Sequence, residues 1–196
     1  MSRPRLDLVG MLAIVGVLAG CADNRPTNYY ALQSLSGPVA PPTGSVTTVG
    51  VAPVTIPDYL RRQELVSRAG LNRLNVNEFN LWAEPVDAAV TRILADDLGI
   101  LLKDQKVAID TDRSADTNYM LSVDVRRFEG DGAGNCVLFA LWALRGANND
   151  TVIGRGGLDL KEPIQGEGED ALTAAMNKAL EALGRQVAAD IAPLIK

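Results

Sequence analysis

The apolar positions along this 196-residue chain change period several times, and each period predicts an element. Residues 8–18 are an uninterrupted, uncharged apolar run. Residues 29–32 predict a first strand, and the β-branched stretch 46–54 a second that Pro53 and Pro57 end. The intervening residues 36–45 hold Gly37, Pro38, Pro41, Pro42 and Gly44 and form a loop. Residues 64–68 and 71–76, with Gly70 between them, predict a β-hairpin. The preceding 57–62 reads as a turn or short helical piece, and the following 77–82 as a connector. Val86, Val90, Ile93, Leu94, Leu98 and Leu101 recur at spacings of three and four, which predicts a helix over 84–102 with Pro85 at its first position. Residues 107–109 are a short strand. Tyr119, Leu121, Val123 and Val125 alternate with Met120, Ser122, Asp124 and Arg126, the pattern of a half-buried strand. Residues 130–135 are a turn. Residues 136–144 are apolar on both alternations, so both faces of that strand are expected to be covered. Residues 151–160, weakened by Gly154, Gly156 and Gly157, complete an antiparallel meander. Leu172, Met176, Ala179, Leu183, Val187 and Ile191 line one face of a last helix over 169–191. The sum is an α+β fold, a mixed and largely antiparallel sheet packed against two long helices.

The first apolar run carries an address. Arg3 and Arg5 precede it, and Leu18-Ala19-Gly20-Cys21 closes it before the polar Asp23-Asn24-Arg25. These are the parts of a secretory signal. At 11 residues the run is short for a spanning helix, which needs about 20. The ending resembles the lipobox of bacterial lipoproteins. That resemblance implies cleavage before Cys21 and acylation of its sulfur and new amino group. The alternative is an ordinary signal with a chance cysteine at the cut. The expected organisation is a leader over 1–20, a lipidated amino terminus and tether over 21–28, and one domain over 29–196. Position 22 is Ala, and an Asp there would match the inner-membrane retention pattern. The expected location is therefore the periplasmic face of the outer membrane.

Charge and composition narrow the chemistry. The net charge is −5, and removing 1–20 takes away two arginines and one aspartate to leave −6. An acidic surface argues against nucleic acid. The chain has no histidine, which removes the commonest general base and metal ligand. With Cys21 acylated, Cys136 has no partner in the chain and is expected to be a small buried or half-buried strand residue, an intermolecular disulfide being the alternative. Asp96 and Asp97 are adjacent on a helix and are expected to be solvated. Asp131 to Asn135 lacks the spaced ligands of a calcium loop. Gly154–Gly157 fits a bulge or close backbone approach better than a phosphate loop. No catalytic set emerges, no cofactor is expected beyond the lipid on Cys21, and the chain reads as a non-enzyme.

The candidate contact residues are Tyr59, Leu60, Arg61, Arg62, Arg68 and Arg73. A cluster of arginines in an acidic chain is either a solvated hairpin or a surface for an acidic partner or lipid head groups. Tyr59 and Trp82 are aromatic types enriched at interface cores.

Tyr29-Tyr30-Ala31-Leu32, the block from Val49 through Pro57-Asp58-Tyr59-Leu60-Arg61-Arg62, Leu65-Val66-Ser67-Arg68, Trp82-Ala83-Glu84-Pro85, Val123-Asp124-Val125-Arg126-Arg127-Phe128-Glu129 and Ala140-Leu141-Trp142 occur in that order. Together they resemble the PqiC/YmbA-type ABC-type transport auxiliary lipoproteins. The resemblance implies an accessory component of MCE intermembrane lipid transport systems, docking a periplasm-spanning MCE-domain protein at the outer membrane. It also implies a homo-oligomeric ring, and for some relatives an ABC permease and ATPase as partners. A lipid-binding shuttle or chaperone with a cavity between helices and sheet is the competing expectation. It would bind lipid itself.

Overall fold

The computed structural model describes residues 25–37, 47–111, 117–146 and 151–195. The leader, Cys21 and most of the Pro-rich loop over 36–45 lie outside the described residues.

A central meander organises the sheet. β6 (Tyr119–Gly130), β7 (Asn135–Gly146) and β8 (Val152–Pro163) run antiparallel, with Val123 opposite Trp142 and Trp142 opposite Gly156. The other edge of β6 carries two branches. Near its start it pairs in parallel with β2 (Thr48–Val51), which in turn pairs with β5 (Lys106–Ile109). At its end, Gly130 meets Ser67 of β3 (Glu64–Arg68), whose hairpin partner β4 (Leu74–Trp82) holds β1 (Asn28–Tyr30) in parallel. The sheet is thus mixed and forked, with residues 52–63 crossing the fork. The class is α+β, as the periodicity predicts.

Helix α1 (Val86–Leu101) packs on β2 and β5, and α2 (Gly168–Ile191) on β7 and β8. The helices also touch each other. Val90, Ile93 and Leu98 of α1 and Ala179, Leu183, Val187 and Ile191 of α2 are essentially inaccessible to solvent. They close on Cys136, Leu138, Ala140, Trp142 and Leu144, the inward positions of β7. Each fully buried aliphatic side chain contributes about 1.5–3 kcal/mol, so this face dominates the stability of the fold.

Several local expectations change. Residues 77–82 are not a connector but the second half of β4, because β1 and β3 flank them from distant parts of the chain. Pro85 caps α1 rather than opening it, with ψ at 130°. The outer face of β7 is only partly covered, since Leu141 is 39% exposed. β8 extends to Pro163, and its glycines each lie close against a different neighbour: Gly154 against Leu194, Gly156 against Trp142 and Gly157 against Leu141 and the Ala140 backbone. A Cβ on Gly156 would lie 2.7–2.8 Å from the Trp142 indole, and one on Gly157 would lie 2.9 Å from the Ala140 carbonyl oxygen. Asp97 is not solvated but 1% exposed. Its Oδ1 accepts the Leu35 N–H at 2.7 Å, and its side chain sits against Gly184 of α2. The strap that follows β1 is thereby fixed to both helices, with the Gln33 N–H donated to Asn177 of α2 at 3.0 Å. Burial pushes the Asp97 carboxyl above its ordinary pKa, and Asp96 and Glu181 add to the effect.

Candidate partner-binding site

The hairpin divides the candidate arginines between its two ends. Arg61 and Arg62 lie at the open end, just past a 3₁₀ turn over Asp58–Leu60. Pro57 starts that turn, and the Leu60 N–H donates to its carbonyl at 3.0 Å. Leu60 is buried and anchors the turn in the core. The Trp82 N–H then donates to the Gln63 carbonyl and closes the hairpin. Between this turn and the start of α1 lies a cleft of about 350 Å³, with Arg61, Arg62 and Gln63 on one side and Glu84, Pro85 and Asp87 on the other. Trp82, 5% exposed, also lines it. Arg61 stands 3.9 Å from Asp58, and Arg62 Nε donates to Glu64 at 3.1 Å. Both arginines are solvent-facing, and such exposed pairs contribute about 0–1 kcal/mol. They hold the side chains loosely enough to be replaced by a partner's acid.

Arg68 is in a different situation. Its Nε donates to Glu129 Oε1 at 2.8 Å. Glu129 is fully buried. Its carboxylate also accepts the Tyr59 hydroxyl at 2.8 Å, Arg127 Nε at 3.0 Å and the Phe128 N–H at 3.0 Å. Burial alone would raise the Glu129 pKa. The bonds from Arg68, Tyr59 and Arg127 outweigh it and hold the carboxyl below its ordinary value. Tyr59 is pushed up to about 12, first by burial and then by its bond to Glu129. The Arg68 guanidinium lies 5.9 Å from the Tyr59 ring centroid. Tyr59 and Arg68 therefore brace the fork of the sheet, and the turn that carries Arg61 and Arg62 is held by them.

Arg73 stands at the opposite end, beside the hairpin tip. It donates to the Ala69 carbonyl at 3.3 Å and has no carboxylate partner among the described residues. The structure brings Tyr59, Leu60 and Arg68 into one support, presents Arg61 and Arg62 together, and separates Arg73 from them.

Glu129 carries no mark in the sequence as a site residue. A register shift between Val125 and Arg127 breaks the alternation just before it and hides which face it takes. Cys136 is buried, and burial raises its thiol pKa to about 12. Among the described residues no group of three His, Cys, Asp or Glu side chains is arranged to hold a metal ion. Where the helices meet the sheet near Leu60, Phe128 and Met176, the opening is only about 10 Å³. A larger groove, about 560 Å³, lies open on the outer face beside Leu141, Ala143 and Val152.

The profile of the ABC-type transport auxiliary lipoprotein component family matches residues 30–188. The chain belongs to this family. The match runs from the last residue of β1 through nearly all of α2, so it takes in both branches of the fork and the cleft. Intermembrane transport lipoprotein PqiC of Escherichia coli is 30% identical over 183 residues, covering 91% of this chain and 92% of that protein. PqiC of Shigella flexneri matches to the same extent. Among solved structures, an uncharacterized protein superposes with a TM-score of 0.73 at 23% identity, over 85% of this chain and 99% of that one. A Xanthomonas campestris protein gives 0.66 at 19% identity, over 84% and 93%. At these identities the two structures speak for the fold.

Proposed function

We propose that this chain is a non-enzymatic accessory lipoprotein of an MCE/ABC-type intermembrane lipid transport system. In this reading the leader over 1–20 is removed, Cys21 is acylated, and residues 21–28 tether the domain to the periplasmic face of the outer membrane. The folded part docks a periplasm-spanning MCE-domain protein, and several copies assemble around it. Family membership and the likeness to PqiC, an intermembrane transport lipoprotein, support the transport role.

The observation that carries the docking role is the cleft beside Arg61 and Arg62. Two exposed guanidinium groups stand on a turn braced by a buried ionic network, next to a largely buried tryptophan. Exposed arginine on a braced turn beside an aromatic is the chemistry of an interface anchor. The close packing around Leu60, Phe128 and Met176 offers no room for a lipid chamber there and weighs against the shuttle reading.

Capture of the MCE-domain partner by the native lipidated protein tests this. Arg61→Glu with Arg62→Glu is expected to weaken capture about tenfold or more at unchanged melting temperature. Arg185→Glu, on the exposed side of α2, is the control and leaves capture intact. Equal capture by the double variant refutes the cleft. Intact-mass measurement of the native protein tests the anchor separately.

A further inference from the structure

We infer that the tip of the β3–β4 hairpin, residues 69–73, is seated in the phospholipid surface to which the chain is tethered. This rests on the Cys21 anchor proposed above.

The direction of the tether carries the inference. β1 pairs in parallel with β4, with Asn28 opposite Asn80. β4 runs away from the hairpin tip, so the residues before Asn28 are directed back towards it. Arg25 is still beside the hairpin, its guanidinium 5.4 Å from the Phe79 ring centroid. Four further residues lead to Cys21, a reach of at most about 14 Å. From Asn80 back to Leu74 is about 20 Å of strand. Seven residues from Asn28 back to Cys21 reach at most about 25 Å. An anchor at Cys21 is thus within chain reach of the level of the tip. The opposite end of the sheet, with Ile109 opposite Val51, is turned away from the bilayer.

The tip itself has the chemistry of an interfacial contact. Leu71 is 92% exposed, the most exposed of the large apolar side chains described. Arg68 Nη1 donates to the Leu71 carbonyl, and Arg73 to the Ala69 carbonyl, so both arginines stiffen the turn that presents it. Arg73 keeps its remaining donors for phosphate. The same end also carries acids. The β6–β7 turn with Asp131 lies against the Arg68 backbone, and Glu169 accepts from Asn77. General attraction to an anionic surface is therefore weak there. The apolar tip makes the contact, with Arg73 at head-group level.

The test places a polarity-sensitive fluorophore at Leu71→Cys in the native lipidated protein, reconstituted in phosphatidylcholine vesicles that contain nitroxide-labelled lipid. Labelling is selective, because Cys136 is buried and Cys21 carries the lipid. Ile109→Cys, 48% exposed at the far end, is the comparison. Expected is a blue-shifted emission at position 71, quenched about threefold more than at 109. An aqueous spectrum at 71 with Cys21 acylated, read from the intact mass, overturns the seating alone. An unacylated Cys21 overturns the seating and the anchor together.

Discussion

Replacing Glu129 with Gln probes the support beneath the cleft. The carboxylate accepts four bonds, two of them from arginines at 2.8 and 3.0 Å. The amide is nearly isosteric, but one of its two ends now donates towards groups that also donate. Bonds to a charged group contribute about 1.5–3 kcal/mol each. The side chains of Arg68 and Arg127 are 26% and 35% exposed, so water recovers part of their hydration. The neutral amide is also cheaper to bury. The lower end of the range applies, about 3 kcal/mol for the two arginine bonds together. For a domain of this size that lowers Tm by about 6–12 °C.

The pH dependence makes the prediction specific. Burial would raise the Glu129 pKa, but the hydrogen bonds from Arg68, Tyr59 and Arg127 bring it below the ordinary carboxyl value. Its contribution is complete above the unfolded-state pKa and is lost as pH falls through the lower folded-state one. Denaturant unfolding of wild type and Glu129→Gln, at about pH 7 and about pH 3, reads both effects. The gap is expected to be wide at neutral pH and to narrow in acid. A gap below about 1 kcal/mol, or one that acid leaves unchanged, refutes the account of Glu129 as a buried ionic brace.

Gly156→Ala drives a methyl into the Trp142 indole and is expected to destabilise the domain by about 1–3 kcal/mol, read by thermal unfolding. Asp97→Asn keeps an acceptor for the Leu35 N–H and removes a buried charge. Because the folded-state pKa of Asp97 is raised, the wild-type penalty is absent below the unfolded value and sets in as pH rises through the folded one. Asn is therefore expected to match or exceed wild type at neutral pH and to lose any advantage in acid. Asp97→Ala, which orphans the N–H, is expected to cost about 1–3 kcal/mol in the same assay. Cys136, with its thiol raised to about 12 in a buried site, is expected to resist alkylation until the domain unfolds, as followed by mass.

Legibility followed range. The two helices could be read because a 3.6-residue period is set by neighbours one turn apart, and Val86–Leu101 and Gly168–Ile191 each bury a continuous apolar face. The meander was legible for a similar reason, its strands being joined by short connections. Residues 77–82 escaped because their strand character comes from β1 and β3, not from their own alternation. The candidate arginines were found, but as one cluster. Nearness along the chain says little across a hairpin, whose two ends lie a full strand length apart.

The chain alone determined the α+β class, the secretory pattern before Cys21 and the blocks that resemble the auxiliary lipoprotein family, because these depend on local period and on motif order. Tertiary structure decided that Glu129 is a buried brace, that Asp97 pins a strap, and that Arg61 and Arg62 face a cleft while Arg73 stands at the far tip. Those outcomes depend on which distant groups meet in space. For a charged side chain, that meeting settles whether it is solvated, neutralised or left free to bind.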